Sequence, residues 1–319
     1  MGGTAYCWRT SPIAVRGGRS FTTMSSGLAG YLCGLDAGRA YCWSQNEDEL
    51  GSMPGSASAV PTSVSGGPMF TMVDTGNGFA CGLATNGGAY CWGPYASGGL
   101  ATGPQCGALP CGPSPVLVAD GFIFRTLSVG GDHACGLLAS GAAYCWAVNW
   151  NGNLGNGSMT HSPRPVPVAG GRTYVAISAG DWHTCALTAD GVTYCWGSNR
   201  LGRLGTTASL PERCPADVCS TQPIPVAEGR RFTTVSAGGE ISCGIESTGT
   251  AFCWGAYLKG GANYTDTPIP VAGGLRFRTV SAGEMIACGL TTSEVAYCWP
   301  TNAYLRADSI VAVKVPGQS

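Results

Sequence analysis

The chain has 319 residues, of which 44% are hydrophobic, 11% are charged, 51 are Gly and 20 are Pro. This apolar share supports a core and excludes a disordered chain, while so much Gly and Pro favours short strands joined by turns over helices. A formal net charge of −1, with 17 Lys and Arg scattered singly, excludes the basic stripe of a nucleic-acid binder, and the lack of an 18-residue apolar run excludes membrane insertion by a helix.

In chain order, the pair Cys-Trp recurs seven times, beginning at Cys7-Trp8, Cys42-Trp43, Cys91-Trp92, Cys145-Trp146, Cys195-Trp196, Cys253-Trp254 and Cys298-Trp299. Six of these cysteines follow an aromatic residue by 21 positions: Phe21, Phe70, Phe124, Tyr174, Phe232 and Phe277. The repeat cores are therefore 21–43, 70–92, 124–146, 174–196, 232–254 and 277–299, and all variation in spacing falls between them. A partial repeat at 1–8 resembles the end of a core, and Ile310–Val315 reads as the first strand of another. The two ends would then share one incomplete blade, with residues 1–8 and 310–316 as its last and first strands. Repeats of this period, each with four strand-like pieces, define a propeller or similar array. In the fourth repeat the pieces are Pro165–Val168, Thr173–Ala179, His183–Thr188 and Val192–Gly197. They are bounded by Gly, Asp or Pro and carry no sustained 3.6-residue period. The expectation is one all-β domain over 1–319, a seven-bladed β-propeller of four-stranded antiparallel blades with one disulfide per blade.

The 17 cysteines point to an oxidising compartment. Cys33, Cys81, Cys135, Cys185, Cys243 and Cys288 precede the Cys-Trp cysteines Cys42, Cys91, Cys145, Cys195, Cys253 and Cys298. Five intervals are ten residues and the first is nine. A three-residue turn at Asp190 sets Cys185 opposite Cys195, and a two-residue turn at Ala37-Gly38 does the same for Cys33 and Cys42. Facing residues of an antiparallel pair lie within disulfide reach. Cys106–Cys111 and Cys214–Cys219 form two further short rings in the longest loops. Zinc is the rival reading for these, but its ligand pairs must meet in space and these lie two repeats apart. Cys7 is left unpaired, its partner expected before Met1. Either the natural chain is longer, which is favoured, or another chain completes this blade by strand addition. Met1-Gly2-Gly3-Thr4 begins no signal region, so a secretion signal would lie upstream.

The motif V-S-A-G-x-x-x-x-C-G-L-x-x-x-G-x-x-Y-C-W-G, with Ser198-Asn199-Arg200-Leu201-Gly202-Arg203-Leu204-Gly205 after one copy, resembles the regulator of chromosome condensation repeat. That likeness implies a seven-bladed propeller. The Cys-Gly-Leu and Tyr-Cys-Trp variant is closer to secreted bacterial members and to ectodomains of Crinkly-type plant receptor kinases. It also resembles a secreted bacterial β-lactamase inhibitor, which implies target binding through loops on one propeller face. The nuclear exchange activity of the founding family is not expected here, because no basic tail is present and fold alone does not carry function.

Candidate chemistry is sparse. His133 and His183 share a slot with Tyr31, Phe79, Ile241 and Ile286, so it reads as a packing position. No serine elbow or phosphate loop is evident, and neither catalysis nor a cofactor or resident metal is expected. Asp132, Asp181, Glu240 and Glu284 follow strand-ending glycines. They could hold a cation, but Asp and Asn are ordinary turn residues. The aromatics outside the repeat are more informative: Trp150 with its neighbour Asn149, Trp182, Tyr95, Tyr257 and Tyr304. Trp and Tyr suit protein hot spots and sugar stacking alike, with local loop packing as the alternative. Sequons occur at Asn156 and Asn263. The reading is a secreted interaction scaffold whose variable loops bind an extracellular protein. Its alternatives are glycan binding and a self-assembling structural subunit.

Overall fold

The computed structural model describes residues 3–4, 6–8, 12–15, 17–27, 30–44, 60–93, 112–210, 212–214, 218–226, 229–259, 262–284, 286–300, 310–311 and 313–314. The chain divides into two compact units. One comprises Met1–Ala139, Cys145–Val148 and His161–Pro165, and the other Ser140–Tyr144, Asn149–Thr160 and Val166–Ser319. The first holds two complete blades and the second three, while the residues of the blade at 124–167 are shared out between them.

The fold is an all-β propeller with four-stranded antiparallel blades, six of them among the described residues. Blade one runs in sheet order Thr23–Ser26, Tyr31–Asp36, Arg39–Ser44, Thr62–Ser63. Blade two is Phe70–Thr75, Ala80–Ala84, Ala89–Gly93, Gly112–Leu117, and blade three is Phe124–Val129, His133–Leu138, Ala143–Ala147, Ser162–Pro167. Blade four orders Ala176–Ala179, His183–Leu187, Thr193–Ser198 and Val218–Pro225, with Glu212–Arg213 added at its edge. Blade five is Phe232–Ala237, Ile241–Glu246, Ala251–Lys259, Ala262–Ala272, with Ile310–Val311 parallel on its edge, and blade six is Phe277–Ala282, Ile286–Thr291, Ala296–Pro300, Val313–Lys314. A 3-10 turn lies at Arg200–Gly202.

Two expectations about the strands change. Pro165–Val168 was assigned to the fourth repeat, yet Ser162–Pro167 is the outer strand of blade three. The outer strand pairs back onto the third strand that precedes it, as the register Cys195↔Ile224 shows in blade four and Cys253↔Ile269 in blade five. By the same rule Val313 pairs with Cys298, so Val313–Lys314 supplies the outer strand of blade six, while Ile310–Val311 lies on blade five. A seventh four-stranded blade is not among the described residues. Tyr6–Trp8 instead forms a two-stranded sheet with Pro12–Ala14, in which Cys7 faces Ile13.

The fixed 21-residue interval has a packing cause. In every blade the Trp after the third-strand cysteine lies against the aromatic that opens the repeat, with ring centroids 5.3–5.7 Å apart in five pairs, such as Phe70–Trp92, and 6.3 Å in Tyr174–Trp196. The second strand runs between them, so the residue after its cysteine sits under the ring. At Gly82 a Cβ would come within 2.5 Å of Phe70, which is why that residue is Gly. Blade four alone carries Ala there, at Ala186, and it has the widest aromatic pair. Such pairs contribute about 0.5–1.5 kcal/mol beyond their burial.

Six disulfides join second and third strands, at Cys33–Cys42, Cys81–Cys91, Cys135–Cys145, Cys185–Cys195, Cys243–Cys253 and Cys288–Cys298. Their Cα atoms lie 4.0–4.1 Å apart, slightly closer than a facing pair requires. Cys214–Cys219 is the seventh; Cys106 and Cys111 lie outside the described residues. Neighbouring blades are tied by a repeated bond from the aromatic N–H to a turn glycine of the preceding hairpin. Examples are Phe70 to Gly38, Phe124 to Gly87 and Phe232 to Gly191, each at 2.8 Å. First strands are tied in addition through a serine slot. Ser178 Oγ accepts from Ala237 N at 2.9 Å and Ser236 Oγ from Ala282 N at 3.0 Å. In blade two the slot holds Asp74, whose Oδ2 accepts from Val129 N at 2.8 Å.

Candidate functional site: the loops after the third strands

Each blade's first strand, second strand and third strand run antiparallel, so the turn joining the first two shares an end with the loop leaving the third. Ser198 N donates to Trp182 O at 2.8 Å, which fixes this for blade four. The loops after the third strands vary most in length, and Trp150 stands in one of them at 54% exposure. Trp182, 38% exposed, is at the same end of its own blade as the loop following Ser198. The sequence alone left that relation open.

Two of these loops are built alike. Asn149-Trp150-Asn151-Gly152-Asn153-Leu154-Gly155 and Asn199-Arg200-Leu201-Gly202-Arg203-Leu204-Gly205 each fold back on their leading asparagine. Asn149 Oδ1 accepts from Leu154 N at 2.9 Å, and Asn199 Oδ1 from Leu204 N at 3.0 Å. Each loop then reaches the next blade's tryptophan: Trp196 Nε1 donates to Asn153 O at 2.8 Å and Trp254 Nε1 to Arg203 O at 2.9 Å. Gly155 and Gly205, at φ +64° and +67°, lie against those indoles with no room for a Cβ. Leu154 and Leu204 are fully buried. The loop thus closes the gap between blades and leaves the second residue, Trp150 or Arg200, facing outward.

Asn149, expected as a binding residue, is buried in this clamp. Its Nδ2 donates to Ser158 O at 2.8 Å and Thr160 O at 3.1 Å, so it holds the loop's shape. Tyr257 falls within the strand Ala251–Lys259, and Tyr95 and Tyr304 lie outside the described residues. The clamp asparagines and glycines carried a readable signal, since N-x-x-G-x-L-G occurs twice at a 50-residue offset.

Both histidines of the shared slot are interior. His183 and His133 have no exposed surface, and burial pushes the His133 imidazole down to about 3. His183 Nε2 lies 2.7 Å from Ser242 Oγ, which itself donates to Arg203 O at 3.1 Å. His183 therefore donates from Nε2 in a fully buried strut that ties blades four and five to the clamp. Arg203 is also buried, where it pairs with Glu240 and donates to Gly239 O at 3.1 Å and to Arg200 O at 2.9 Å. One of the four turn acids is thus held in a structural ion pair. Among the described residues no group of three or more His, Cys, Asp and Glu converges.

Beside the second clamp lies a recess of about 340 Å³. Leu201, Leu210 and Val218 make its apolar walls, and Asn199, Thr207 and Asp266 its polar ones. The hairpin carrying Val218 is pinned by Cys214–Cys219 and by Glu212, which accepts from Thr221 N at 2.5 Å and Thr221 Oγ1 at 3.1 Å.

A disulfide-bridged, loop-bearing propeller of this repeat has known counterparts in fold. Family models described as the regulator of chromosome condensation (RCC1) repeat match residues 140–187, 190–245 and 174–203. Residues 140–245 thus carry RCC1-type repeats, within a chain that shares the fold of the RCC1-like propellers. Human WBSCR16 matches in structure with a TM-score of 0.79 at 15% identity, over 95% of this chain and 83% of that one. Yeast RCC1 (Prp20), solved bound to Kap60, matches at 0.75 and 18%, over 96% and 78%. The ectodomain of the Physcomitrella patens receptor kinase CR4 matches at 0.57 and 24%, over 90% and 66%. Identities this low speak to the fold. No curated protein matches the sequence.

Proposed function

We propose that the chain is an extracellular interaction scaffold that binds a protein partner through the loops following its third strands. The observation that carries this is the contrast within each blade. The hairpin framework is uniform and disulfide-bridged, whereas the segment after the third strand ranges from two residues between Lys259 and Ala262 to the long, separately bridged stretch between Ser198 and Val218. Rigid scaffolds carry their binding residues on such loops. The disulfides support an oxidising, extracellular setting. Two relatives support a protein ligand: one was solved with Kap60 bound, and another is the ectodomain of a receptor kinase.

The experiment places a photo-cross-linking residue at Trp150 and, separately, at Asp190, which lies in a hairpin turn at the opposite end of its blade from the loop that follows Ser198. Exposed to the proteins of its native surroundings, the protein should capture one discrete partner from position 150 and none from 190. Equal capture from both, or none from either, contradicts the reading. A glycan ligand is the second reading, supported by the exposure of Trp150 and Trp182. It predicts glycan-array binding that Trp150→Ala abolishes.

A further inference from the structure

The recess beside the second clamp differs from its counterpart in blade three in one respect. Asn149 has its Nδ2 claimed by Ser158 O and Thr160 O, nine and eleven residues on. The positions at the same offsets from Asn199 are Ala208 and Leu210, and both line the recess. Among the described residues neither takes a hydrogen bond from Asn199, whose Oδ1 is held by Leu204 N. The segment after the third strand of blade four is longer and carries the Cys214–Cys219 bridge. An amide donor is therefore presented to the space.

The same recess is lined by an acid. Gly202 packs on the backbone at Thr265 and Asp266, which brings Asp266 to the wall of the recess. Among the described residues its carboxylate has no hydrogen-bond or ion-pair partner, and neither does the Thr207 hydroxyl. Leu201, Leu210 and Val218 line the recess with them. Leu201 holds φ +58°, a conformation that costs a non-glycine residue about 1 kcal/mol or more and that gathers at binding sites. A carboxylate, an aliphatic wall and one N–H donor complement three features that occur together on a basic residue of a polypeptide. These are a cationic head, an apolar stem and a backbone carbonyl.

We propose that this recess anchors an arginine or lysine side chain of the partner protein, with the cation at Asp266, the stem along Leu201 and Leu210, and the preceding carbonyl on Asn199 Nδ2. The volume is that of a small ligand site, and basic anchors seated in pockets are common interface hot spots. This deepens the interaction reading and rests on it.

The test titrates the full chain with Nα-acetyl-arginine N-methylamide, followed by backbone amide shifts. The neutral citrulline counterpart is run in parallel. The arginine compound should give saturable shifts confined to residues 199–210, 218 and 266, with a Kd on the order of millimolar, as a single side chain allows. Asp266→Asn should weaken it at least tenfold, and Leu210→Ala, which keeps the charge and shortens the wall, several-fold. Citrulline binding as tightly, wild-type affinity in Asp266→Asn, or shifts elsewhere would overturn the assignment. The two readings separate cleanly. A partner cross-linked from Trp150 whose affinity ignores Asp266→Asn removes the recess proposal and leaves the interaction face. Arginine binding with no partner captured keeps the recess and removes the face.

Discussion

Acid should destabilise this protein through His133 in a way that a single substitution cancels. The imidazole is fully buried and pushed down to about 3, against about 6.5 in the unfolded chain. Between those values the unfolded chain binds a proton that the folded chain refuses. The contribution to stability is therefore complete above pH 6.5 and is lost as pH falls towards 3. The loss relative to pH 7.5 is about 2 kcal/mol at pH 5 and about 3 kcal/mol at pH 4. His133→Phe places in blade three the residue that blade two carries at Phe79. Urea unfolding with the disulfides intact, at pH 7.5 and 5, should show wild type losing about 2 kcal/mol more than the variant. Carboxylates titrating elsewhere act on both proteins and cancel in that difference. An identical pH dependence, or a His133 ring resonance that titrates near 6.5, would refute the reasoning.

Three further outcomes follow from the framework. Gly197 and Ala147 share one slot at φ +100° and +91°, and a Cβ on Gly197 would lie 2.6 Å from Trp182 O. Thermal unfolding should show Gly197→Ala losing about 2 kcal/mol, and Ala147→Gly gaining up to about 1 kcal/mol as relieved strain outweighs added chain entropy. Asn149→Ala leaves the Leu154 N–H and the Ser158 and Thr160 carbonyls without partners. It should cost about 2–4 kcal/mol locally and speed hydrogen exchange across 149–160 while the blade hairpins stay protected. Replacing Cys185 and Cys195 by serine opens a ten-residue ring. That should cost about 2.5 kcal/mol in the chain-entropy account, read as a lower urea midpoint.

Much of the framework was legible because its constraints are local. The ten- and nine-residue cysteine intervals gave the register Cys185↔Cys195 and Cys33↔Cys42 directly, since turn length fixes which residues face each other. The hydrophobic company of the histidine slot marked it as interior, which holds in five blades, whereas Ile286 in blade six is 48% exposed. The outer strands were misassigned because alternation identifies a strand but not its neighbour. Only the pairing of Ile224 with Cys195 shows that each outer strand returns to the repeat it follows. The same limit applies to Val313–Lys314, which pairs with blade six and not with the incomplete blade. Asn149 was misread for a different reason. A polar residue beside an exposed tryptophan looks like a ligand contact until its amide is seen bonded on both sides to its own loop. The recess was invisible in the sequence, since Asp266 lies in the blade after the loop that carries Asn199 and Leu210.

The central claim is that the loops after the third strands of blades three and four are held by clamps closed over the next blade's tryptophan, so that Trp150 and Arg200 are presented in fixed positions. Hydrogen exchange of the tryptophan indole N–H groups tests it most directly. Trp196 and Trp254, bonded to Asn153 O and Arg203 O, should exchange orders of magnitude more slowly than Trp150 and Trp182. Asn149→Ala should release Trp196 alone. Rapid exchange at Trp196 and Trp254 in the native protein would contradict the account.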